Sequence, residues 1–238
     1  MLDRTAIIIV TYKRNALLRL LCESLAAQDR APGWVVVVDN DGGAAPVVDE
    51  LRAALPGSEI EYRHTGENLG GAGGFALGVE TAMALGADWL WFMDDDVMLL
   101  PDACVRMEAW SKKHRFFIGR RENHDGSEFF YQPRFNNFLA IPVPDFSFDF
   151  ARADEFLTDV VSFEGCVVHR SIVEAIGIPD ARFFLSWDDI IYGWLAAHHT
   201  PVVVVSDFLL RRTQEVPTIR FLGRQVAKPS HLYIYHFF

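Results

Sequence analysis

The first hundred residues alternate short apolar runs with helix-like stretches, and few architectures accept that order. Residues 5–10, 34–38, 59–64 and 89–93 read as strands. The first, second and fourth are almost continuously apolar, the pattern of strands buried on both faces. Residues 15–28, 46–55 and 74–85 read as helices. In the first of these, Leu17, Leu18, Leu21 and Leu25 fall at helical spacing behind Asn15, a candidate cap. Strand–helix repetition of this kind predicts a parallel sheet covered by helices on both sides. Ligands of such sheets bind outside the carboxyl ends of the strands. Thr11-Tyr12-Lys13-Arg14, Asp39-Asn40-Asp41, residues 64–74 and Asp94-Asp95-Asp96 all lie at such ends.

The acidic triplet carries the most chemistry. It follows Trp89-Leu90-Trp91-Phe92-Met93, and three adjacent like charges behind a buried strand call for a cation. On an extended tip, adjacent side chains alternate, so Asp94 and Asp96 are expected to face one ion while Asp95 points away. An oxygen-rich set without histidine suits magnesium or manganese bridging a diphosphate. A solvated acidic turn is the plain alternative. The net charge of −10 argues against a general nucleic-acid binder.

Asn68-Leu69-Gly70-Gly71-Ala72-Gly73-Gly74 supplies glycines where a backbone can approach phosphate ahead of a helix. It resembles a dinucleotide fingerprint only loosely, because that motif belongs directly after the first strand. Ser186-Trp187-Asp188-Asp189 opens a helix; one aspartate there suits capping and the other suits a general base. Asp39 suits either a nucleoside contact or an Asx turn before Gly42-Gly43. His198 and His199 belong near a helix end, and His64 and His169 read as core or rim histidines.

Beyond residue 113 the periodicity weakens. Residues 116–119 suggest a strand, 126–150 an aromatic, proline-containing cover loop, 160–169 a return to order and 201–205 a last strand. A single domain over 1–238 is expected, with 1–100 as one half and 101–238 as the other. The three cysteines are far apart with no CxxC pair, which reads as buried reduced thiols of a cytoplasmic protein. No secretory leader or membrane span is legible. The aromatic tail, residues 232–238, suits a docking strand, a peripheral contact at the inner face of the cell membrane, or the stump of a longer chain. An oligomer is compatible with the sequence.

Taken together these blocks resemble the family-2 inverting glycosyltransferases of GT-A fold, and most closely their galactofuranosyltransferase-like and rhamnosyltransferase-like branch. The resemblance rests on Thr11-Tyr12-Lys13-Arg14, Val38-Asp39-Asn40, the 68–74 glycine run, Phe92-Met93-Asp94-Asp95-Asp96, Pro101-Asp102 and Trp187-Asp188-Asp189 with Tyr192-Gly193. It implies an α/β GT-A fold with a mostly parallel central sheet. It also implies a nucleotide-diphosphate sugar donor, uridine-linked, with Mn2+ or Mg2+, and a glycan or lipid-linked acceptor in cell-surface polysaccharide synthesis.

By the same resemblance Asp94 and Asp96 match the metal-binding motif, with Asp95 counted among the donor contacts. Asp39 matches the nucleoside contact, with Thr11 and Arg14 nearby, and Asn68, Gly70 and Gly71 line the donor. Asp189 matches the catalytic base, while Trp187 and Asp188 shape the acceptor site. Two positions depart from the branch. Its metal-binding Trp-His pair after the last strand is replaced by Arg211-Arg212, and Arg212 can hold a diphosphate but cannot ligate a metal. Its acceptor-facing tryptophans are replaced by Phe163-Glu164-Gly165-Cys166. A non-catalytic nucleotide-sugar or glycan-binding module and an NAD-dependent oxidoreductase are the competing readings.

Overall fold

A computed structural model describes residues 1–129, 132–145 and 147–215, and the backbone of Thr218–Phe221 and Arg224–Ala227. The aromatic tail, with the membrane contact expected of it, lies outside the described residues. The chain runs β1 (Thr5–Thr11), α1 (Asn15–Ala26), β2 (Trp34–Asp39), α2 (Ala45–Ala54), β3 (Glu59–His64), α3 (Gly70–Ala84), β4 (Trp89–Asp94), β5 (Val97–Leu99) and α4 (Ala103–Ser111). It continues with β6 (Phe116–Glu122), β7 (Glu128–Phe129), β8 (Pro133–Asn136), β9 (Ile141–Pro144), β10 (Glu155–Thr158), β11 (Cys166–His169), α5 (Arg170–Ile176), α6 (Asp188–Ala197) and β12 (Val202–Arg212).

One sheet runs in the order β10-β12-β6-β11-β4-β1-β2-β3, with β5 on β12 and β7 on β6. The pairs β4–β1, β1–β2, β2–β3 and β12–β6 are parallel. The sheet is nevertheless mixed, because β11 runs antiparallel to both β4 and β6. Parallel neighbours need a crossover, usually helical. No α-helix is present among the described residues between β6 and β11, and β11 enters antiparallel.

Alternate residues of β1 feed two cores. Ile7 and Ile9 pack with Leu18, Leu21, Val47 and Met107 from α1, α2 and α4. Ala6, Ile8 and Val10 pack on the other side with Phe75, Val79, Ile172 and Tyr192 from α3, α5 and α6. Each such fully buried side chain contributes about 1.5–3 kcal/mol relative to exposure. Burial on both faces is why these strands carry no polar alternation. All three cysteines are free and buried.

Several boundaries differ from the sequence reading. Helix α3 begins at Gly70 rather than 74, and its glycines serve packing: a Cβ on Gly78 would overlap Ile8, and one on Gly74 would sit 2.5 Å from Val10 Cγ1. Asn15 does not cap α1; its Nδ2 donates to the Gly43 carbonyl at 2.8 Å, and Arg14 holds the cap position. Strand β12 extends past 205 to Arg212, through register irregularities at Val205/Phe208 and Phe208/Leu210. Such irregularities bend a strand and re-aim its side chains, and the far end of β12 then pairs with β5. The 126–150 stretch, expected to be irregular, contains the β8–β9 hairpin. Among the described residues no helix is long and apolar enough to cross a membrane.

Candidate active site

A cavity of about 240 Å³ opens at the carboxyl ends of β1 and β4, beside the start of α3. Its lining includes Thr11, Arg14, Asn68, Gly70, Gly71, Asp94 and Asp95, seven of the residues singled out from sequence. It also includes Tyr12 and Asn40, from the strand-end runs noted in the sequence, and Phe184 and Leu185, which no sequence signal marked. Asn40 ties β2 to α3: its Nδ2 donates to the Gly70 carbonyl at 3.1 Å and its Oδ1 accepts from Leu69 N at 3.2 Å. Asn68 shapes the turn ahead of the helix, its Oδ1 accepting from Gly70 N at 3.0 Å.

The wall formed by Phe184 and Leu185 comes from the distant segment ahead of α6. Ala72 N donates to the Phe184 carbonyl at 3.1 Å. Gly70 has φ +71°, and any Cβ there would overlap that carbonyl, so two independent constraints demand glycine. The 184–187 segment holds three non-glycine residues at positive φ: Phe184 (59°), Ser186 (71°) and Trp187 (75°). Backbone of that kind costs on the order of 1–3 kcal/mol per residue and persists only where its surroundings enforce it.

The acidic triplet is not an extended tip. Strand β4 ends at Asp94, and Asp95-Asp96 form the turn into β5. Asp95 folds back onto β1, accepting from Thr11 Oγ1 at 2.7 Å and from Arg14 Nη1 at 3.2 Å. The same Arg14 nitrogen donates to Asp96 Oδ2 at 3.1 Å. Asp95 therefore does not point away, as expected, but turns onto β1, where Arg14 joins it to Asp96, because strand alternation ends at Asp94. Among the described residues, no three His, Cys, Asp or Glu side chains gather in an arrangement that could hold a metal.

Asp94 lines the cavity with other carboxylates near it. Burial and the charges of Asp96, Glu164, Asp95 and Asp189 all push its carboxyl well above the usual range. Burial also raises Asp96, followed by the charge of Glu164, against the opposing pull of Arg14 and Arg212. Carboxylate oxygens are the donor type that a hard divalent ion takes.

Asp39 shapes the turn that follows β2. It is fully buried, and its carboxylate accepts from Asp41 N, Gly42 N and Ala44 N at 3.0, 3.0 and 2.7 Å and from Tyr62 Oη at 2.8 Å. Burial works against its charge, but these donors hold its carboxyl below the usual range. The structure shows the turn, a reading compatible with a nucleoside contact at the same residue.

Asp188 and Asp189 open α6, with Trp187 in the cap position making no side-chain cap hydrogen bond. Asp189 Oδ1 accepts from Ile190 N at 2.8 Å. Burial, then the neighbouring Asp188 charge, pushes Asp189 up to about 7. Burial raises Asp188 as well. A carboxyl tuned to that range can take a proton at neutral pH and release it again.

Arg212 is not a free cation. Its Nε donates to Glu164 Oε1 at 2.6 Å, and its Nη2 pairs with Glu164 Oε2. Arg121 reaches the same carboxylate, Nη1 to Oε2 at 2.6 Å. Burial opposes the charge of Glu164, but the two arginines outweigh it and hold its carboxyl below the usual range. Arg121 was missed from sequence, and Glu164 was noticed only as a departure. Their sole signal was charge inside otherwise strand-like runs. His169 and His198 are accounted for locally: His169 Nδ1 accepts from Ser171 N at the start of α5, and His198 Nδ1 lies 2.8 Å from the Trp194 carbonyl.

Comparison with known proteins agrees with this geometry. The family model described as Glycosyl transferase family 2 matches residues 6–177. The galactofuranosyltransferase GlfT1 of Mycolicibacterium smegmatis is 34% identical over 200 residues, covering 77% of this chain and 62% of that protein. GlfT2 of the same organism is 29% identical over 213 residues, covering 78% and 32%. The chain thus spans about three fifths of the length of its GlfT1 relatives. Among solved structures, S. aureus TarS 1–349 in complex with UDP-GlcNAc aligns with TM-score 0.65 at 17% identity, over 89% of this chain and 58% of that one. GalNAc-T7 with UDP, GalNAc and Mn2+ aligns with TM-score 0.67 at 12% identity, over 87% and 43%. At such identities these structures establish the fold, which is GT-A. With the matched segment covering most of the sheet, the chain belongs to glycosyl transferase family 2.

Proposed function

We propose that this chain is an inverting glycosyltransferase that moves a sugar from a uridine-diphosphate donor to a hydroxyl of a glycan or lipid-linked acceptor in cell-surface polysaccharide synthesis. The observation that carries the reading is the cavity at the ends of β1 and β4, where Arg14, Asp94, Asp95 and the start of α3 converge. The names of the GlfT1 relatives make galactofuranose the first sugar to test.

In the proposed reaction the acceptor oxygen attacks the anomeric carbon. The bond from that carbon to the diphosphate oxygen breaks, its electron pair leaves with the diphosphate, and the hydroxyl proton passes to an Asp189 oxygen. Asp189 suits this task because its raised carboxyl balances proton uptake and release near neutral pH. Asp188 and Trp187 position the first turn of α6 on the acceptor side. Thr11 and Arg14 fix Asp95 and steady the acidic turn. Gly70 and Gly71 leave room for the donor. Asp94 and Asp96 are the residues that would hold Mn2+ or Mg2+, which would supply charge neutralisation for the departing diphosphate. Residues 1–100 serve the donor and 101–238 the acceptor within one domain.

A panel of nucleotide sugars tested by calorimetry, with and without manganese, and then by transfer to polyprenyl-linked glycans, tests this reading. Manganese-dependent UDP-sugar binding with turnover is expected. The replacement of the branch's metal-binding histidine by Arg211-Arg212 motivates a second reading, a non-catalytic nucleotide-sugar or glycan binder. Donor binding without hydrolysis or transfer across that panel would establish it instead.

A further inference from the structure

We propose that Leu185 is a specificity-determining residue of the cavity at the ends of β1 and β4, a wall that admits a plain hexose and turns away one with a bulky substituent such as an acetamido group. This deepens the glycosyltransferase reading above and rests on it. The cavity lining divides by chemistry. Thr11, Arg14, Asn40, Asn68, Asp94 and Asp95 give it a polar side, at the strand ends and ahead of α3. Phe184 and Leu185 give it an apolar side, and among the described residues they are its only lining from the second half of the chain.

These two residues act differently. Phe184 anchors the segment: its carbonyl accepts from Ala72 N, and its Cδ2 would lie 2.9 Å from a Cβ on Gly70. Leu185 reaches over the next residue of α3, its Cδ1 3.8 Å from where a Cβ on Gly71 would sit. Gly71 has no side chain, so the width of this part of the cavity is left to Leu185. The backbone that carries it is pinned, with Phe184 N donating to the Ala181 carbonyl at 3.2 Å and Leu185 N to the Phe183 carbonyl at 2.6 Å. A wall held in this way can discriminate by size, because it does not withdraw from a larger ligand.

Leu185 is 50% exposed. Covering that apolar surface is favourable, and a sugar ring has a C–H face that can do so. The part of the donor that meets it follows from the chain. Asp189, which takes the acceptor proton in the proposed reaction, is four residues on, a separation the backbone spans with at most about 14 Å. Asp94, at the diphosphate end of the proposed complex, lines the same cavity as Leu185. The transferred sugar has to lie between diphosphate and base, and Leu185 is the side chain of the base-bearing segment that reaches the cavity there.

The test compares the unaltered full chain with Leu185→Ala and Leu185→Met. Calorimetry with manganese gives the affinities for UDP, UDP-galactose and UDP-N-acetylgalactosamine, the last two differing by the acetamido group. One methylene at an apolar wall changes discrimination by about 10–200-fold. Leu185→Ala is therefore expected to shift the affinity ratio of the two sugars at least ten-fold toward the acetamido donor, while the affinity for UDP alone moves less than two-fold. Leu185→Met, of similar volume, should keep the ratio. A role in stability alone would weaken all three ligands alike. A ratio that moves less than three-fold in Leu185→Ala overturns the proposal. So does a loss of UDP affinity as large as that for the UDP-sugars, which would set Leu185 against the nucleoside. Should Leu185→Ala not fold, Leu185→Val decides in its place, and an unchanged ratio overturns the proposal. If the unaltered protein binds no UDP-sugar, the glycosyltransferase reading fails and this proposal with it; if it binds and transfers sugar while the ratio stays fixed, only the role of Leu185 fails.

Discussion

Replacing Asp189 with asparagine should make the protein more stable while removing its turnover. The magnitude follows from the environment of the side chain. Burial, with Asp188 beside it, raises the carboxyl from its ordinary value to about 7. The folded state therefore binds this proton more tightly than the unfolded chain does. Its stabilising effect is complete below about pH 4 and is lost as pH rises to about 7 and beyond. At pH 8 the ionised side chain costs the fold about 4 kcal/mol, and at pH 5 about 1.5 kcal/mol. Asparagine keeps the shape and an acceptor for Ile190 N but never ionises. Thermal melts of the two proteins without donor or metal should differ at pH 8 by roughly 8–16 °C in favour of Asp189→Asn. The gap should shrink by more than half at pH 5. Equal melting temperatures at pH 8, or a gap independent of pH, would refute the argument that a desolvated charge is held there. In the same preparations kcat/KM of the unaltered enzyme should rise with pH through about 7, and Asp189→Asn should transfer no sugar.

Three further outcomes are expected. Asp94→Asn and Asp96→Asn should each weaken manganese-dependent donor binding at least ten-fold by calorimetry; undiminished, metal-independent binding would remove both residues from the metal assignment. Gly70→Ala should cost about 2 kcal/mol or more and raise the donor KM, since its Cβ meets the Phe184 carbonyl at positive φ; a neutral effect on both would show that the 184–187 wall moves freely. Gly78→Ala should destabilise by about 1–3 kcal/mol through the contact with Ile8, and, being remote from the cavity, should leave donor KM unchanged once melting is taken into account.

What could be read from the sequence was what local pattern determines. The runs at 5–10, 34–38 and 89–93 are apolar because both faces are covered, and they occur as β1, β2 and β4 with ends shifted by a residue. The start of α6 at Asp188 followed from its two acidic residues and apolar stripe. The start of α3 did not, because glycine disfavours helix, and only the approach of β1 to Gly74 and Gly78 and of Phe184 to Gly70 shows why glycines are accepted there. The insertion of β11 antiparallel was equally invisible, as strand direction is decided by the path taken through residues 123–165. At the site, the strand-end rule brought seven residues to one cavity. The Arg121–Glu164–Arg212 cluster escaped because its members are 43 and 48 positions apart and lie on three different segments.

The pairing of β5 with β12 has a consequence for how the chain reaches its native state. Thr213 fastens to Asp96 across 117 positions, and Arg212 arrives with it. As the polypeptide emerges from the ribosome, β1 to β4 and their helices can begin to assemble early. The countercharge for the acidic turn is synthesised more than a hundred residues later. Until then Arg14 is the cation paired with Asp95 and Asp96 among the described contacts. Long-range pairings of this kind form slowly and leave sheet edges open in the interval. The cavity at the ends of β1 and β4 is thus begun by one stretch of the nascent chain and given its final electrostatic form by a strand made more than a hundred residues later.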